Sequence, residues 1–429
     1  MFESKIIQDL IREYFKADTK YRYALINGSK EEPKYLHTEM LVEEYSDDMT
    51  YESISGKFTR VTADVVSLGS PAPIKSRGSL SSTKGKIPKL SLKYVMEEDD
   101  MATMINLMNK KDRRKELAKM FFADSENVIF GIKETIEQAL LLGFSGGITV
   151  IPDSQNVGTG IRINYNIPPD NQLNSEKVWS DPNSKPIDDI RRVLRVARKK
   201  GNTPNTIWMD SNILFNLLNN EQVKQLFAFT LNFVGASIPT LSEEQIKSVL
   251  KRNLKLDLRV IDRPFQHEKN GKLTTSEGWT PNMVVFTTGT KVGSLVYSKL
   301  AESTFRQKQV AYAEPNNYIL VKKDGTTDPV SMRTAGEALV IPVLQNVETL
   351  FYLDSEGGAK DVQTEGDENF DYNGDTYTLV AVKAALMKVD GRFKLDNLTD
   401  EQLLAKINTL NAEQLAIFED NLGEPIVGE

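Results

Sequence analysis

The chain has 429 residues, of which 26% are charged and 40% hydrophobic, with a formal net charge of −7. Those proportions exclude disorder throughout, and the length leaves room for two or three domains. With no cysteine and two histidines, disulfides, thiolate nucleophiles and thiolate metal sites are removed together.

The opening MFESKIIQDLIREYF carries acids and an amphipathic pattern where a signal peptide needs a basic start and an apolar run. No apolar run approaches the ~20 residues that span a bilayer. The expectation is a soluble intracellular product with no membrane partner. Ile6, Ile7, Leu10, Ile11, Tyr14 and Phe15 share one side of a helix predicted over residues 1–26, which Asn27-Gly28-Ser29 ends. An acidic segment follows, with Glu39, Glu43, Glu44, Asp47, Asp48 and Glu52 and no base among them.

The stretch Lys57–Lys93 then inverts the charge. It holds eight bases (Lys57, Arg60, Lys75, Arg77, Lys84, Lys86, Lys89, Lys93) against Asp64, a net +7 in a chain that is negative overall. Its ends read as strands, Val61 to Val65 and Leu90 to Met96, and its middle is Gly, Pro and Ser. Ordering so long a connection costs roughly 1–2 kcal/mol per residue with little burial in return, so a partner's surface is the expected remedy.

Four acids at 97–100 precede a long helical run predicted from Met101 to Phe144. A break is expected near Ala123-Asp124-Ser125, with Ser125 as N-cap of a second segment that Gly143 ends. Gly143 to Gly147 and Gly158-Thr159-Gly160 read as turns, since neither is followed by the residues a phosphate-binding loop requires. ITVI from Ile148 and IRINY from Ile161 are predicted strands. PIDDIRRVLRVARKK, from Pro186 to Lys200, is a well-specified helix with acids in its first turn, bases in its last and Gly201 beyond. TIWM, the helix NILFNLLN capped by Asp210 or Ser211, and a helix from Ser242 to Leu254 continue the alternation of an α+β or α/β unit. Strands are predicted at DLRVIDRPF, MVVFTT, VGSLVYS and YILVKK, with turns at Asn270-Gly271 and Asp324-Gly325. The apolar run from Leu339 to Leu353 ends at an acidic linker, with eight acids from Asp354 to Asp375 against Lys360. Beyond it a turn at Tyr372 to Tyr377 and two capped helices, starting near Thr399 and Asn411, form a small module.

No His-Glu-x-x-His pattern occurs, no serine-hydrolase elbow is nominated, and His37 and His267 lie far apart and read as ordinary surface residues. No catalytic, cofactor-binding or metal-binding residue is nominated, and no cofactor is expected.

The run MTYESISGKFTRVTADVVSLGSPAPIKSRGSLSSTKGKIPKLSLKYVMEEDDM, the unit IDDIRRVLRVARKKGNTPNTIWMDSNILFNLL and the late segment DPVSMRTAGEALVIPVLQNVETLFYLD together resemble the tailed-phage major capsid proteins of the lambda E type. The resemblance implies an α+β chain with the Hong Kong 97 capsid fold and self-assembly into an icosahedral shell around double-stranded DNA. It implies an N-terminal arm and acidic segment over 1–56 and an extended loop over 57–96 that lies on an adjacent subunit. A peripheral domain with a spine helix would occupy 97–154, an axial domain 155–304 and a return to the peripheral sheet 305–354, before the linker at 355–371 and the module at 372–429. Hexamers and pentamers of the chain itself, a portal protein, a separate scaffolding protein, packaged DNA and, optionally, a decoration protein are the implied partners. Production in the host bacterial cytoplasm is expected. Charge segregation nominates intersubunit contacts between Arg60, Lys75, Arg77, Lys84, Lys86, Lys89 and Lys93 on one copy and Glu43, Glu44, Asp47 and Asp48 on the next. The alternative is a nucleic-acid-binding virion or host protein using 57–93 as a basic arm. The lack of aromatic residues between Thr59 and Tyr94 counts against base stacking there.

Overall fold

The computed structural model describes residues 33–56, 80–108, 113–151, 161–230, 241–269 and 271–357, and scattered positions between 369 and 421. The helix expected over 1–26, the strand expected at Val61 to Val65 and the Gly158-Thr159-Gly160 turn lie outside the described residues. Two units are present, Met1–Gly358 and Ala359–Glu429.

The first unit begins with a short helix α1 (Leu36–Met40) that runs straight into β1 (Leu41–Tyr45). β2 (Thr50–Gly56) and β3 (Leu80–Lys86) form an antiparallel hairpin in register from Thr50↔Lys86 to Gly56↔Leu80, so residues 57–79 leave from its far end. β4 (Lys89–Met96) covers the strand expected at Leu90 to Met96, and α2 (Glu98–Met108) follows.

The long helix departs from expectation. α3 runs unbroken from Arg114 to Gly146, and the Ala123-Asp124-Ser125 break is absent. Ser125 is buried inside the helix, flanked by buried Phe121, Phe122 and Val128, so burial on both sides holds the ladder across a segment with weak intrinsic helicity. Gly143 is not the stop either. A Cβ there would sit 2.3 Å from the Thr149 hydroxyl, so glycine is needed for close packing, and the chain turns instead at Gly147, at φ 69°.

β5 (Ile148–Ile151) and β6 (Ile161–Asn164) pair as a small hairpin. β7 (Gln172–Asn174) leads to α4 (Pro186–Lys199), whose Ile187, Ile190, Leu194 and Ala197 are all buried, as their spacing predicts. β8 (Thr206–Asp210), α5 (Ser211–Asn219), α6 (Glu221–Thr230), α7 (Glu243–Leu254) and β9 (Asp257–Ile261) follow, and α7 starts in a full Ser242–Gln245 capping box. Asp210 caps α5 by accepting the Ile213 N–H at 2.7 Å. Asp210→Ala is expected to cost about 1 kcal/mol in urea unfolding, with the loss confined to the stability of this unit.

β10 (Pro264–Lys269) and β11 (Lys272–Glu277) form the hairpin expected at Asn270-Gly271, and Gly271 has φ 74°. β12 (Met283–Thr287), β13 (Gly293–Ser298), β14 (Ala311–Ala313), β15 (Ile319–Thr327), β16 (Val330–Leu344) and β17 (Phe351–Asp354) complete the unit. The turn expected at Asp324-Gly325 is overturned, because β15 continues in register to Thr327↔Val330 and reverses at Asp328-Pro329. Asp324 stays in the strand because Arg333 on β16 pairs with its carboxylate.

Two sheets organise these elements. The first runs β1-β13-β16-β15-β14, with β4 also on β16, and the second runs β7-β17-β12-β8-β9. Val128, Ile132, Ile136 and Leu140 of α3 share a core with Ile319, Val321, Ala338 and Val340 of the first sheet. The second sheet shows why strands β8, β12 and β17 are apolar throughout. Ile207, Met209, Val284, Phe286, Phe351 and Leu353 join the core under α4 to α7, whereas the alternate residues Trp208, Val285 and Tyr352 join the core of α3. Phe144, at the end of α3, meets Trp208 edge-on at 5.4 Å and Trp279 at 5.9 Å.

In the second unit, β18 (Asn369–Tyr372) pairs with β19 (Asp375–Thr378), as the expected turn requires. Val382, Ala385, Leu386, Leu403, Ile407 and Phe418 form its core. Positions 403–407 and 414–418 include helical residues where the two capped helices were expected, and 382–389 adds helical positions that were not anticipated.

Candidate intersubunit contact site

The hairpin β2–β3 is fixed at its base. Tyr51 and Ser53 are buried, the Ser53 hydroxyl donates to the Leu344 carbonyl at 2.5 Å, and the Gln345 amide donates to the Glu52 carbonyl at 3.0 Å. Thr83 on the other strand lies 3.5 Å from the Asn164 carbonyl. These contacts tie the Thr50–Lys86 end of the hairpin to the first sheet.

The nominated bases divide into three groups. Arg60, Lys75 and Arg77 lie outside the described residues. Lys84 and Lys89 have partners within the chain: Lys84 stands 3.1 Å from Glu52 across the hairpin, and Lys89 stands 2.7 Å from Glu337 across β4 and β16. Lys86 and Lys93 are exposed and have no partner among the described residues. Lys89 and Lys93 belong to β4, which hydrogen-bonds along β16 from Leu339 to Met332.

The acids divide in the same way. Glu43 accepts from the Asn317 amide at 2.8 Å. Asp48 closes a tight turn, accepting from Thr50 and Ser46, and those hydrogen bonds hold its carboxyl below the usual range. Glu44 and Asp47 are exposed and unpartnered among the described residues. Among the described residues, no nominated base pairs with a nominated acid within one copy; Lys84 and Lys89 pair with acids outside the nominated four.

His37 contradicts its surface assignment. It is 1% exposed, and its Nδ1 lies 2.7 Å from a Glu137 carboxylate that is itself fully buried. The partner is 100 residues away in sequence, which no local pattern reveals. His267 is half-buried, 2.8 Å from the Ser276 hydroxyl and 3.1 Å from the Gln138 amide, and burial lowers its pKa. No group of three His, Cys, Asp or Glu among the described residues is placed to hold a metal ion.

The architecture is therefore a hairpin fastened to the first sheet near its Thr50–Lys86 end, a helix of 33 residues across one sheet, and a second sheet covered by helices on one face. A family model described as phage major capsid protein E matches residues 29–354. The chain belongs to the phage major capsid protein E family. It is a major capsid protein of a tailed phage, it self-associates into the icosahedral shell, and its place is the virion. The phage major capsid protein E family is a structural one rather than an enzyme family. Its architecture is of the α+β class expected from the sequence. Among solved structures the chain is similar to a candidate capsid protein of a prophage in E. coli CFT073, at 15% identity over 79% of this chain and 99% of that one, TM-score 0.47. It is also similar to the mature capsid of bacteriophage PhiM1, at 11% identity over 76% and 88%, TM-score 0.42. A third likeness is to the capsid of cyanophage A-1(L), at 11% identity over 75% and 93%, TM-score 0.40. No curated protein matches the chain. No helix among the described residues is long and apolar enough to cross a membrane.

Proposed function

We propose that the β2–β3 hairpin, with residues 57–79 beyond it, is the extended loop that each copy lays on its neighbour in the shell. The observation that carries this reading is the anchorage of the hairpin near its Thr50–Lys86 end through Tyr51, Ser53 and Gln345. Burial holds its base to its own copy, and the basic residues 57–79 then need an acidic surface elsewhere. Exposed Glu44 and Asp47 supply it, with Lys86 and Lys93 as further contacts.

On this reading, α3 with the first sheet is the peripheral domain, and the second sheet with α4 to α7 is the axial domain, which meets its copies in hexamers and pentamers. β13 then belongs with the peripheral sheet and β17 with the axial one. A portal protein, a separate scaffolding protein and non-specifically held DNA complete the assembly, with a decoration protein as an optional addition, and the chain is made in the host bacterial cytoplasm. It has no catalytic role, a reading supported by the structural engagement of both histidines.

Electron microscopy of the purified chain tests the proposal. Closed shells, capsomers or tubes are expected, and their yield should fall as salt rises above ~0.15 M, where exposed charges are screened beyond ~8 Å. Persistent monomers at every concentration would sink it.

A further inference from the structure

Residues 34–40, which join the N-terminal segment to β1, are held on α3 by a closed set of charges. The Glu137 carboxylate accepts three hydrogen bonds from this strap: the Leu36 N–H at 2.7 Å, the His37 N–H at 2.9 Å and the His37 Nδ1 at 2.7 Å. It thus satisfies backbone donors at the start of α1 that no side chain of the strap caps. One turn earlier on α3, Glu134 accepts from the Tyr35 hydroxyl at 2.9 Å and from Arg263 Nη2 at 2.7 Å. Arg263, in the connection between β9 and β10, also donates to the Lys34 carbonyl at 2.9 Å, lies 3.7 Å from Glu137 and covers the Tyr35 ring at 4.7 Å. Lys133 sits 5.5 Å over the same ring. Further out, Arg259 of β9 approaches Glu39 at 3.5 Å, and His267 of β10 reaches Gln138.

One atom of this set is unsatisfied. His37 Nε2 is buried with no partner among the described residues. Its other ring nitrogen, Nδ1, faces Glu137. Glu137 is then an acceptor for every strap donor it touches, and the arrangement depends on its staying ionised.

We propose that Glu137 is the catch of an acid-sensitive latch, which fixes the strap at 34–40 to α3 and frees it when the carboxylate takes up a proton. Protonation converts an acceptor-only group into one with a donor, while the Leu36 and His37 N–H groups that face it can only donate, in a site that excludes water. Burial pushes the Glu137 carboxyl up, but the hydrogen bonds from the His37 ring and from the His37 and Leu36 N–H groups outweigh it and hold it below the usual range. A depressed folded value places the stabilisation above the unfolded carboxylate range near 4.3, to be lost as pH falls through the lower, folded value. The latch is accordingly shut at neutral pH and opens only in distinctly acid conditions.

Hydrogen exchange of the full chain, followed peptide by peptide and corrected for the pH dependence of intrinsic exchange, tests this. Wild-type protection over 35–41 should drop at least tenfold between pH 7 and acid pH, before that of β8 and β12. Glu137→Gln should show the open behaviour already at pH 7 and lose the pH dependence. Arg263→Gln, which keeps the carboxylate and removes a nearby positive charge, should move the opening to higher pH, and it serves if Glu137→Gln does not fold. Protection over 35–41 that survives Glu137→Gln, or an opening that does not move in Arg263→Gln, would overturn the latch. Neither readout requires shells, so failure here is separable from failure of the loop proposal.

Discussion

Phe144→Ala is expected to lower the unfolding free energy by about 3–5 kcal/mol, the range for truncating a fully buried aromatic ring. Phe144 has no solvent exposure, and its ring meets both Trp208 of the second sheet and Trp279. The edge-on geometry adds to simple burial, since the ring edge meets the electron-rich faces of its neighbours. The cavity cannot collapse easily, because Gly143 beside it is packed against Thr149 and Tyr165. Urea unfolding followed by tryptophan fluorescence is the natural measurement, as two of the three tryptophans flank the site. Phe144→Leu should recover most of the loss. A loss below ~1 kcal/mol for the alanine variant would mean that the helix end does not join the two layers.

The elements that the sequence announces are those whose signals are local. The helix at Pro186–Lys199 carries its acids, bases, proline and apolar stripe within one stretch, and the Ser242–Gln245 capping box needs only four residues. The errors lie where distant residues decide. Ala123-Asp124-Ser125 looks like a helix break until Phe121, Phe122 and Val128 are all buried around it. Asp324-Gly325 looks like a turn until Arg333 on the partner strand is known. The hairpin strands escape notice because TYESISG and LSSTKGK have little apolar alternation; their partner and the Leu344 carbonyl stabilise them instead. Glu137 was invisible as a candidate because it follows Ile136 on an amphipathic helix, where an acid normally meets water. The faint signal was that Leu140, Leu141 and Phe144 make the surrounding face too apolar for a solvated carboxylate.

Reversing Arg60, Lys75 and Arg77 to Glu is expected to abolish shell formation while leaving the subunit folded. The choice of residues follows from the pairing described above. Lys84→Glu would face Glu52 in register across the hairpin, and Lys89→Glu would leave buried Glu337 with Lys322 alone, so both would disturb the subunit itself. Exposed ion pairs are individually worth about 0.2–1 kcal/mol, so three lost pairs weaken one contact roughly tenfold, and reversal adds repulsion to that loss. Each copy in a closed shell makes the same contact, which turns a modest local change into loss of the assembly. The acidic partners can be chosen with equal care: Asp48 holds its own turn and Glu43 holds Asn317, which leaves Glu44 and Asp47 for replacement by Lys. Combining both sets of reversals should restore shells seen by electron microscopy and sedimentation. If the triple reversal assembles normally, the loop does not dock by charge; if it fails and the double set gives no rescue, its partner surface lies elsewhere than Glu44 and Asp47.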